Sequence, residues 1–190
     1  MPIAKSTMGE SVQAGVGKTS QERERGGFGG VFKVECFDAD GNLKWTDEFH
    51  NLVVNEGLQD LNTQFFKGSG YTAAWYLGLV TGPGSGVSYA ATDTLATKSW
   101  TEFTNYTGNR KLVTFGTATN ADPSVISNSA SQSVYTISGG GGTVAGAFLT
   151  TVATGTSGIL FSEGNFTGGD KITAAGDTLN VTYTFNADAV

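Results

Sequence analysis

Hydrophobic and polar positions alternate from Leu43 onward, in the run LKWTDEFH. Trp45, Asp47 and Phe49 fall on one side and the residues between them on the other, because successive side chains of a strand face opposite ways. The preceding run Phe28–Phe37 also alternates, and the segment DADGN lies between the two. Since Asp-Gly between alternating runs favours a tight turn, the pattern predicts a β-hairpin.

The period changes near Asn55, where apolar residues recur three and four positions apart. Leu58, Leu61 and Phe65 have the spacing of one helical face. Asn55 is predicted to be the N-cap, with Glu56 in the first turn, where a negative charge suits the positive end of a helix. No other part of the sequence has convincing helical spacing. We therefore expect one short helix that plugs or flanks a β core.

The rest of the sequence predicts short strands separated by glycine-rich turns. Residues 75–80 are apolar on both faces, which is typical of a central buried strand. In the closing run 178–185, Leu179, Val181, Tyr183 and Phe185 share one face. The other predicted strands are 100–106, 110–119, 133–138, 144–152, 158–163 and 170–174, and the four glycines 139–142 are predicted to form a mobile tip.

These segments amount to roughly nine strands at the ~8–12-residue spacing of sandwiches and barrels. The pattern therefore predicts a mainly β domain over residues 29–190. The fold we expect is a jelly-roll-like antiparallel β-sandwich with one short helix and an extended N-terminal arm.

The arm is residues 1–28, which show neither helical nor strand periodicity. Its apolar residues are sparse, and the mixed-charge run ERER precedes two glycines, so the segment alone cannot offset the entropy cost of becoming ordered. It is either a disordered tail or an arm that becomes ordered on a partner, with a reach on the order of 80 Å when extended. The residues predicted to contact a partner are Ile3, Met8, Val12, Val16, Arg23, Arg25 and Phe28.

The composition suits a β protein with many tight turns, because 28 of the 190 residues are glycine and only 15% are charged. The net charge is −6 and the pI is about 4.6. Nucleic acid attracts basic patches, and this acidic chain has no Lys/Arg cluster, so no nucleic-acid partner is expected.

A single cysteine, Cys36, excludes an intramolecular disulfide and is interpreted as a small buried thiol. No apolar run approaches the ~20 residues needed to cross a bilayer, and no secretory signal is visible. We therefore expect no membrane association and synthesis in a cytoplasm.

The segment AGVGKT, residues 14–19, resembles the end of a phosphate-binding P-loop. The full pattern requires a glycine five residues before the Gly-Lys pair, and that position is Val12. Polar residues precede the segment where a buried strand is needed, and no apolar helical stripe follows it. Nucleotide binding is therefore not predicted.

The Asp/Asn cluster at residues 38–42 is interpreted either as a calcium-binding loop or as a turn. An EF-hand loop starting at Asp38 requires glycine at its sixth position and glutamate at its twelfth. Those positions are Leu43 and Phe49. The sequence therefore favours turn chemistry over a metal site.

Candidate catalytic residues are few. His50 is the only histidine, so a Ser-His-Asp or Cys-His arrangement must use it, and no nucleophile elbow is present. Glycoside hydrolysis needs two carboxylates, for which Glu102, Glu163 and Asp170 are candidates, but no spacing pairs them. We predict no catalytic, metal-binding or cofactor-binding residues and expect that the protein is not an enzyme.

Large aromatic residues raise carbohydrate binding as a further candidate function. They form either a sugar-binding platform or, more commonly, part of a β core or a subunit interface. The candidate rings are Trp45, Tyr71, Trp75, Tyr89, Trp100 and Tyr106.

The order of these segments resembles structural proteins of tailed bacteriophages. A polar, glycine-bearing arm precedes a hairpin, followed by NLVVNEGLQDLNTQFF, then WYLGLV, a loop, and a late AGDTLNVTYTF strand. The resemblance is to head decoration (capsid cement) proteins and some small tail proteins. It covers about residues 29–190 as a pattern, with residues 52–61 and 176–185 matching most closely.

The resemblance implies a virion protein that is made in the host cytoplasm and binds the outer surface of a phage capsid as a trimer or dimer. Its expected partner is the major capsid protein, with the arm lying across neighbouring subunits. It implies no cofactor. The alternative is a phage tail or fibre component that contacts a receptor or glycan through the Trp/Tyr loops.

Overall fold

The computed structural model describes residues 27–67, 74–84 and 87–188. Over these ranges the chain is mainly β, with two antiparallel sheets that form a sandwich and one helix, as the sequence predicts. The strands are β1 (Phe28–Phe37), β2 (Leu43–His50), β3 (Leu52–Val53), β4 (Tyr76–Thr81), β5 (Glu102–Phe103), β6 (Lys111–Leu112), β7 (Ser124–Ser127), β8 (Ser133–Thr136), β9 (Gly142–Thr150), β10 (Leu160–Asn165), β11 (Lys171–Thr173) and β12 (Thr178–Ala187), and the helix is α1 (Asn55–Lys67).

The first sheet has the order β2-β1-β12, with β7 and β8 both paired to the far edge of β12. The second has the order β3-β10-β9-β4-β5, with β11 beside β9 and β6 beside β4. The two sheets thus contain five and seven strands, where a simple jelly roll has eight in all. Strands β1 and β2 form the predicted hairpin, pairing Val31 with His50 at its open end.

The main core lies between the sheets, where the predicted alternation is confirmed. On β12, Leu179, Val181 and Tyr183 are fully buried, and on β1, Phe32 and Val34 pack in the same core. The central position of β4 is also confirmed, because it pairs with β9 on one side and with β5 and β6 on the other. The period of two along these strands supplies one continuous apolar layer.

The helix begins one residue earlier than predicted. The carbonyl of Val54 accepts the N–H of Leu58, which makes Val54 the N-cap and Asn55 the first helical residue. Glu56 lies in the first turn, and its carboxylate accepts the N–H of Leu160 on β10. Gly57 lies against β10 so closely that a Cβ there would be 2.5 Å from the carbonyl oxygen of Phe161. The missing side chain therefore allows the helix to pack directly on the strand.

A second apolar cluster lies on the other face of the seven-stranded sheet. Val80, Ala145 and Phe148 alternate with core residues of β4 and β9, and Leu95 and Trp100 pack over them. The segment 87–101, which has no strand or helix, therefore covers this face. Trp100 is buried within this covering segment, and the strand predicted over residues 100–106 is reduced to the two-residue β5.

Several predicted strands are shorter in the structure. Residues 110–119 contain only the two-residue β6, and β7 was not predicted at all. Both strands are brief because they pair with only part of a longer neighbour. The glycines 139–142 form a turn with positive φ angles, and a Cβ on Gly141 would overlap the carbonyl of Thr173. The positive φ angles favour glycine throughout this turn, and at Gly141 the neighbouring backbone also excludes a side chain, whereas Gly139 and Gly140 have open space around them.

The outer edge of the five-stranded sheet is β2, where Asp47 holds a neighbouring loop. Its carboxylate accepts the N–H groups of Thr167 and Gly168 at 3.0 Å each and lies 3.2 Å from the ammonium of Lys171. The hydroxyl of Thr167 donates to the carbonyl of Glu48. The loop therefore lies along part of this strand edge.

Candidate interaction surface

An apolar groove opens where helix α1 meets the end of the sandwich. Its helical wall carries Leu61 and Phe65. Its other walls come from the two sheets and from the segment before β7, so that residues distant in sequence meet in one place. These are Trp75, Leu149 and Phe161 from the seven-stranded sheet, Ile126, Tyr183 and Phe185 from the five-stranded sheet, and Phe115.

The groove has a volume of about 320 Å³. Its floor is the buried core itself, because Leu149, Phe161 and Tyr183 are at most 5% exposed. The Trp75 ring contacts Phe161 edge-on, at 5.1 Å between centroids. The groove is therefore a preformed, mainly aromatic cavity, and Asp60 and Gln64 are the polar residues of its lining.

Two aromatic side chains stand beside the groove at the end of α1. Phe65 is 80% exposed and Phe66 is 76% exposed, and their rings meet edge-on at 5.1 Å. Phe65 lies on the predicted apolar face with Leu61, but this end of the face is uncovered in the described part of the chain. Exposed rings next to an apolar cavity are typical of a surface that binds another protein.

Phe28 is the one predicted partner-binding residue of the arm that the structure describes. It is the first residue of β1, pairs with Ala187 on β12, and is 49% exposed. Its ring stacks on Phe185 at 6.0 Å, and Phe185 lines the groove. The structure thus makes Phe28 part of the sandwich, with its ring against a wall of the groove. The other predicted contacts, Ile3, Met8, Val12, Val16, Arg23 and Arg25, lie outside the described residues, as does the P-loop-like segment.

Cys36 is fully buried, as predicted. Burial and the nearby carboxylate of Asp177, whose Oδ2 is 3.8 Å from the sulfur, raise the pKa of the thiol to about 12. A thiol with that pKa is protonated at neutral pH and is a poor nucleophile. His50 lies on the exposed face of β2, opposite Val31, rather than beside this thiol.

The three candidate carboxylates have separate partners. Glu102 forms two hydrogen bonds with the guanidinium of Arg110, at 2.9 and 2.7 Å. Both oxygens of Asp170 accept the N–H of Gly84. Glu163 is fully buried, on the face of β10 that Trp100 covers. The structure therefore gives each of the three carboxylates a hydrogen-bond partner of its own.

Glu163 is the most unusual ionisable group in the described chain. Its Oε2 accepts the indole N–H of Trp100 at 2.6 Å, while Oε1 has no hydrogen-bond partner among the described residues. The pKa of Glu163 is raised to about 7, mainly by burial and also by the neighbouring carboxyl of Asp93, whereas the Trp100 hydrogen bond acts in the opposite direction. The sequence around Glu163, Phe-Ser-Glu-Gly, gives no sign of this environment, because the residues that create it come from a segment about 65 positions earlier.

The cluster at residues 38–42 forms a turn, as the sequence favours. One oxygen of Asp38 accepts the N–H groups of Asp40 and Asn42, and these bonds lower the pKa of the carboxyl. Gly41 has a φ of +85°, which glycine adopts without strain. Within the described ranges, no group of three or more His, Cys, Asp or Glu side chains is placed to hold a metal ion.

The aromatic residues that were candidates for a sugar platform are instead used in packing. Trp100 and Tyr106 are buried, and Trp45 packs edge-on against Phe166 at 5.6 Å. The hydroxyl of Tyr89 donates to Asn165 at 2.9 Å, and Trp75 forms part of the groove. Tyr71 lies outside the described residues. These rings do not form one exposed platform.

Comparisons with known proteins give no relative for this chain: no protein-family model, no curated protein and no solved structure matches it. In the part of the chain that the structure covers, no helix has the length and apolar character needed to cross a bilayer. The case for function therefore rests on the groove and the aromatic pair. Sequence analysis missed the groove because its lining is drawn from separate segments and has no local signature.

Proposed function

We propose that this protein is a structural component of a tailed-bacteriophage virion that binds and reinforces the outer surface of the capsid. The observation that supports it is an exposed aromatic pair, Phe65 and Phe66, beside an open apolar groove. A protein that works alone gains nothing from keeping such a surface in water, where apolar area costs about 25 cal/mol per Å². A subunit uses it to attach to its neighbours.

The capsid as the site of action comes from the sequence resemblance to head decoration proteins. In this proposal the partners are the major capsid protein and further copies of this chain, and the N-terminal arm contacts neighbouring subunits. A tail or fibre component with glycan-contacting loops has less support, because most of the candidate sugar-binding rings are packed into the fold.

The test is cosedimentation of the purified full-length protein with capsids that lack it, prepared from the phage that encodes it. We expect the wild type to bind, and the double variant Phe65→Ser/Phe66→Ser to bind at least about tenfold more weakly, because hot-spot aromatics carry much of an interface's energy. Ile172→Ser is the matched control, since Ile172 is also 76% exposed but lies on β11. Absence of wild-type binding, or equal binding by the double variant, would reject the proposal.

A further inference from the structure

We infer that the apolar groove is the docking site for the N-terminal segment, residues 1–20, of a neighbouring copy of this chain. The inference rests on the proposed function, because an assembly of copies brings a second groove within reach of each N-terminal segment. Its occupant is thus a named part of the same sequence. The apolar positions Ile3, Met8, Val12 and Val16 are the side chains that would enter the groove.

The first support is where the segment leaves the fold. The carbonyl of Gly27 accepts the N–H of Asp188, and the Phe28 ring stacks on Phe185 in the groove wall. Residues 1–26 therefore start at the groove end of the sandwich. Where this end of one copy faces the same end of another, the segment of each copy begins close to the groove of the other.

The second support is length. Eleven polar, charged or glycine residues separate Val16 from Phe28. Extended at ~3.3 Å per residue, this spacer spans on the order of 40 Å. A domain of this size is itself about 40 Å across, from the usual scaling of radius with length. The spacer is therefore long enough to bring Val16 to the groove of a neighbouring copy.

The third support is composition. The groove is lined mainly by aromatic rings, against which aliphatic side chains pack well. The charged run ERER of the spacer would lose its hydration there and is not expected to enter the groove. Residues 1–26 carry four basic and three acidic side chains, which leaves a surplus of seven negative charges on residues 27–190. The segment and the domain are thus of opposite sign, and Asp60 places a negative charge in the lining of the groove.

Peptide binding tests the groove directly. The receptor is the full-length chain with Ile3→Ser, Met8→Ser, Val12→Ser and Val16→Ser, labelled with ¹⁵N, so that its own segment does not compete. The probe is a synthetic peptide of residues 1–20. We expect saturable amide shifts at Leu61, Phe161 and Phe185 but not at Ile172, and at least about tenfold weaker binding by a peptide with the same four serines. Equal binding of the two peptides, or shifts elsewhere, would overturn the inference.

A mixed-label experiment distinguishes a second copy from the same chain. Unlabelled full-length protein carries a nitroxide on Ser11→Cys; Cys36 is buried and does not compete for the label. When this protein is mixed with ¹⁵N-labelled wild type, we expect groove amides to lose more than half their intensity. Broadening only when label and ¹⁵N are in one chain would show that the segment occupies its own groove and would overturn the inference.

The capsid assay separates this inference from the proposed function. If the four-serine variant binds capsids as well as the wild type while the peptide still fails to bind the groove, the inference is wrong and the proposed function stands. If the peptide and mixed-label results are as expected but no form binds capsids, the docking site is real and the proposed location of the protein is wrong.

Discussion

The seven-stranded sheet borders two apolar regions that are completed in opposite ways. On its outer face, segment 87–101 covers the second cluster, and Trp100 is fixed there by its hydrogen bond to Glu163. At the end of the sandwich, helix α1 covers only part of the core, and Phe65 is left 80% exposed beside the groove. The covered cluster stabilises the fold of its own chain, whereas the open groove leaves apolar surface exposed for contact with a partner. Substitutions in the two regions should therefore differ in kind.

The largest effect on stability is expected at the covered cluster. Trp100→Ala removes a buried ring that packs at 4.5 Å from Phe148 and leaves the Glu163 carboxyl without its donor. We expect a loss of about 3–5 kcal/mol in the free energy of unfolding. Trp100→Phe keeps most of the packing and should cost less than half as much. Denaturant unfolding monitored by circular dichroism measures both, and a loss below about 1 kcal/mol for the alanine variant would show that the cover contributes little.

Glu163 makes the stability of the covered cluster depend on pH. Its pKa is about 7 in the folded protein, above the ordinary value of 4.5, so the folded state binds the proton more tightly than the unfolded state. The stability that this proton contributes is complete below about pH 4.5 and is lost as the pH rises through 7. Its size is roughly 3 kcal/mol.

Glu163→Gln checks this directly, since the amide oxygen keeps an acceptor for Trp100 and does not titrate. We expect the difference in unfolding free energy between pH 5 and pH 8 to be smaller in the variant by roughly 2–3 kcal/mol. Other carboxyls, such as Asp38, have lowered pKa values and act at more acidic pH in both proteins. Identical pH dependence in the two proteins would mean that the Glu163 carboxyl titrates normally.

The helix that separates the two regions depends on Gly57. Gly57→Ala places a Cβ 2.5 Å from the carbonyl oxygen of Phe161, so the helix must move away from β10. We expect a net loss of about 1–3 kcal/mol, even though alanine favours the helix by about 1 kcal/mol. Gly116→Ala is the control, because its nearest contact would be an ordinary 3.5 Å. Stability equal to wild type in Gly57→Ala would show that the helix packs loosely.

The smallest effect on stability is expected at the open groove. Phe65→Ser/Phe66→Ser should change the unfolding free energy by no more than about 0.5 kcal/mol, because both rings are largely in water. The same variant is expected to show the largest loss in capsid binding. A loss of several kcal/mol in its thermal or denaturant unfolding would place the pair in the core and remove the contrast between the two regions.

The sequence predicts the parts of the fold that depend on local periodicity. The faces of β12 and the start of α1, to within one residue, follow from alternation and from helical spacing. The cover over the second cluster does not, because Trp100 belongs to a segment without regular structure. Phe65 is assigned to the correct face, but its exposure depends on which distant segments come near it. The groove likewise has no local signal, since Leu61, Trp75, Ile126 and Phe185 meet only in the folded chain.

The loop held by Asp47 limits how copies of this protein associate. A bare outer strand invites a foreign strand to extend the sheet, which leads to uncontrolled stacking and fibrils. On β2 the carbonyl of Glu48 already accepts a hydrogen bond from the Thr167 hydroxyl. Polar side chains also line the exposed face of the strand, namely Lys44, Thr46, Glu48 and His50. Strand addition is therefore disfavoured on this side of the five-stranded sheet, which lowers the risk of edge-to-edge aggregation.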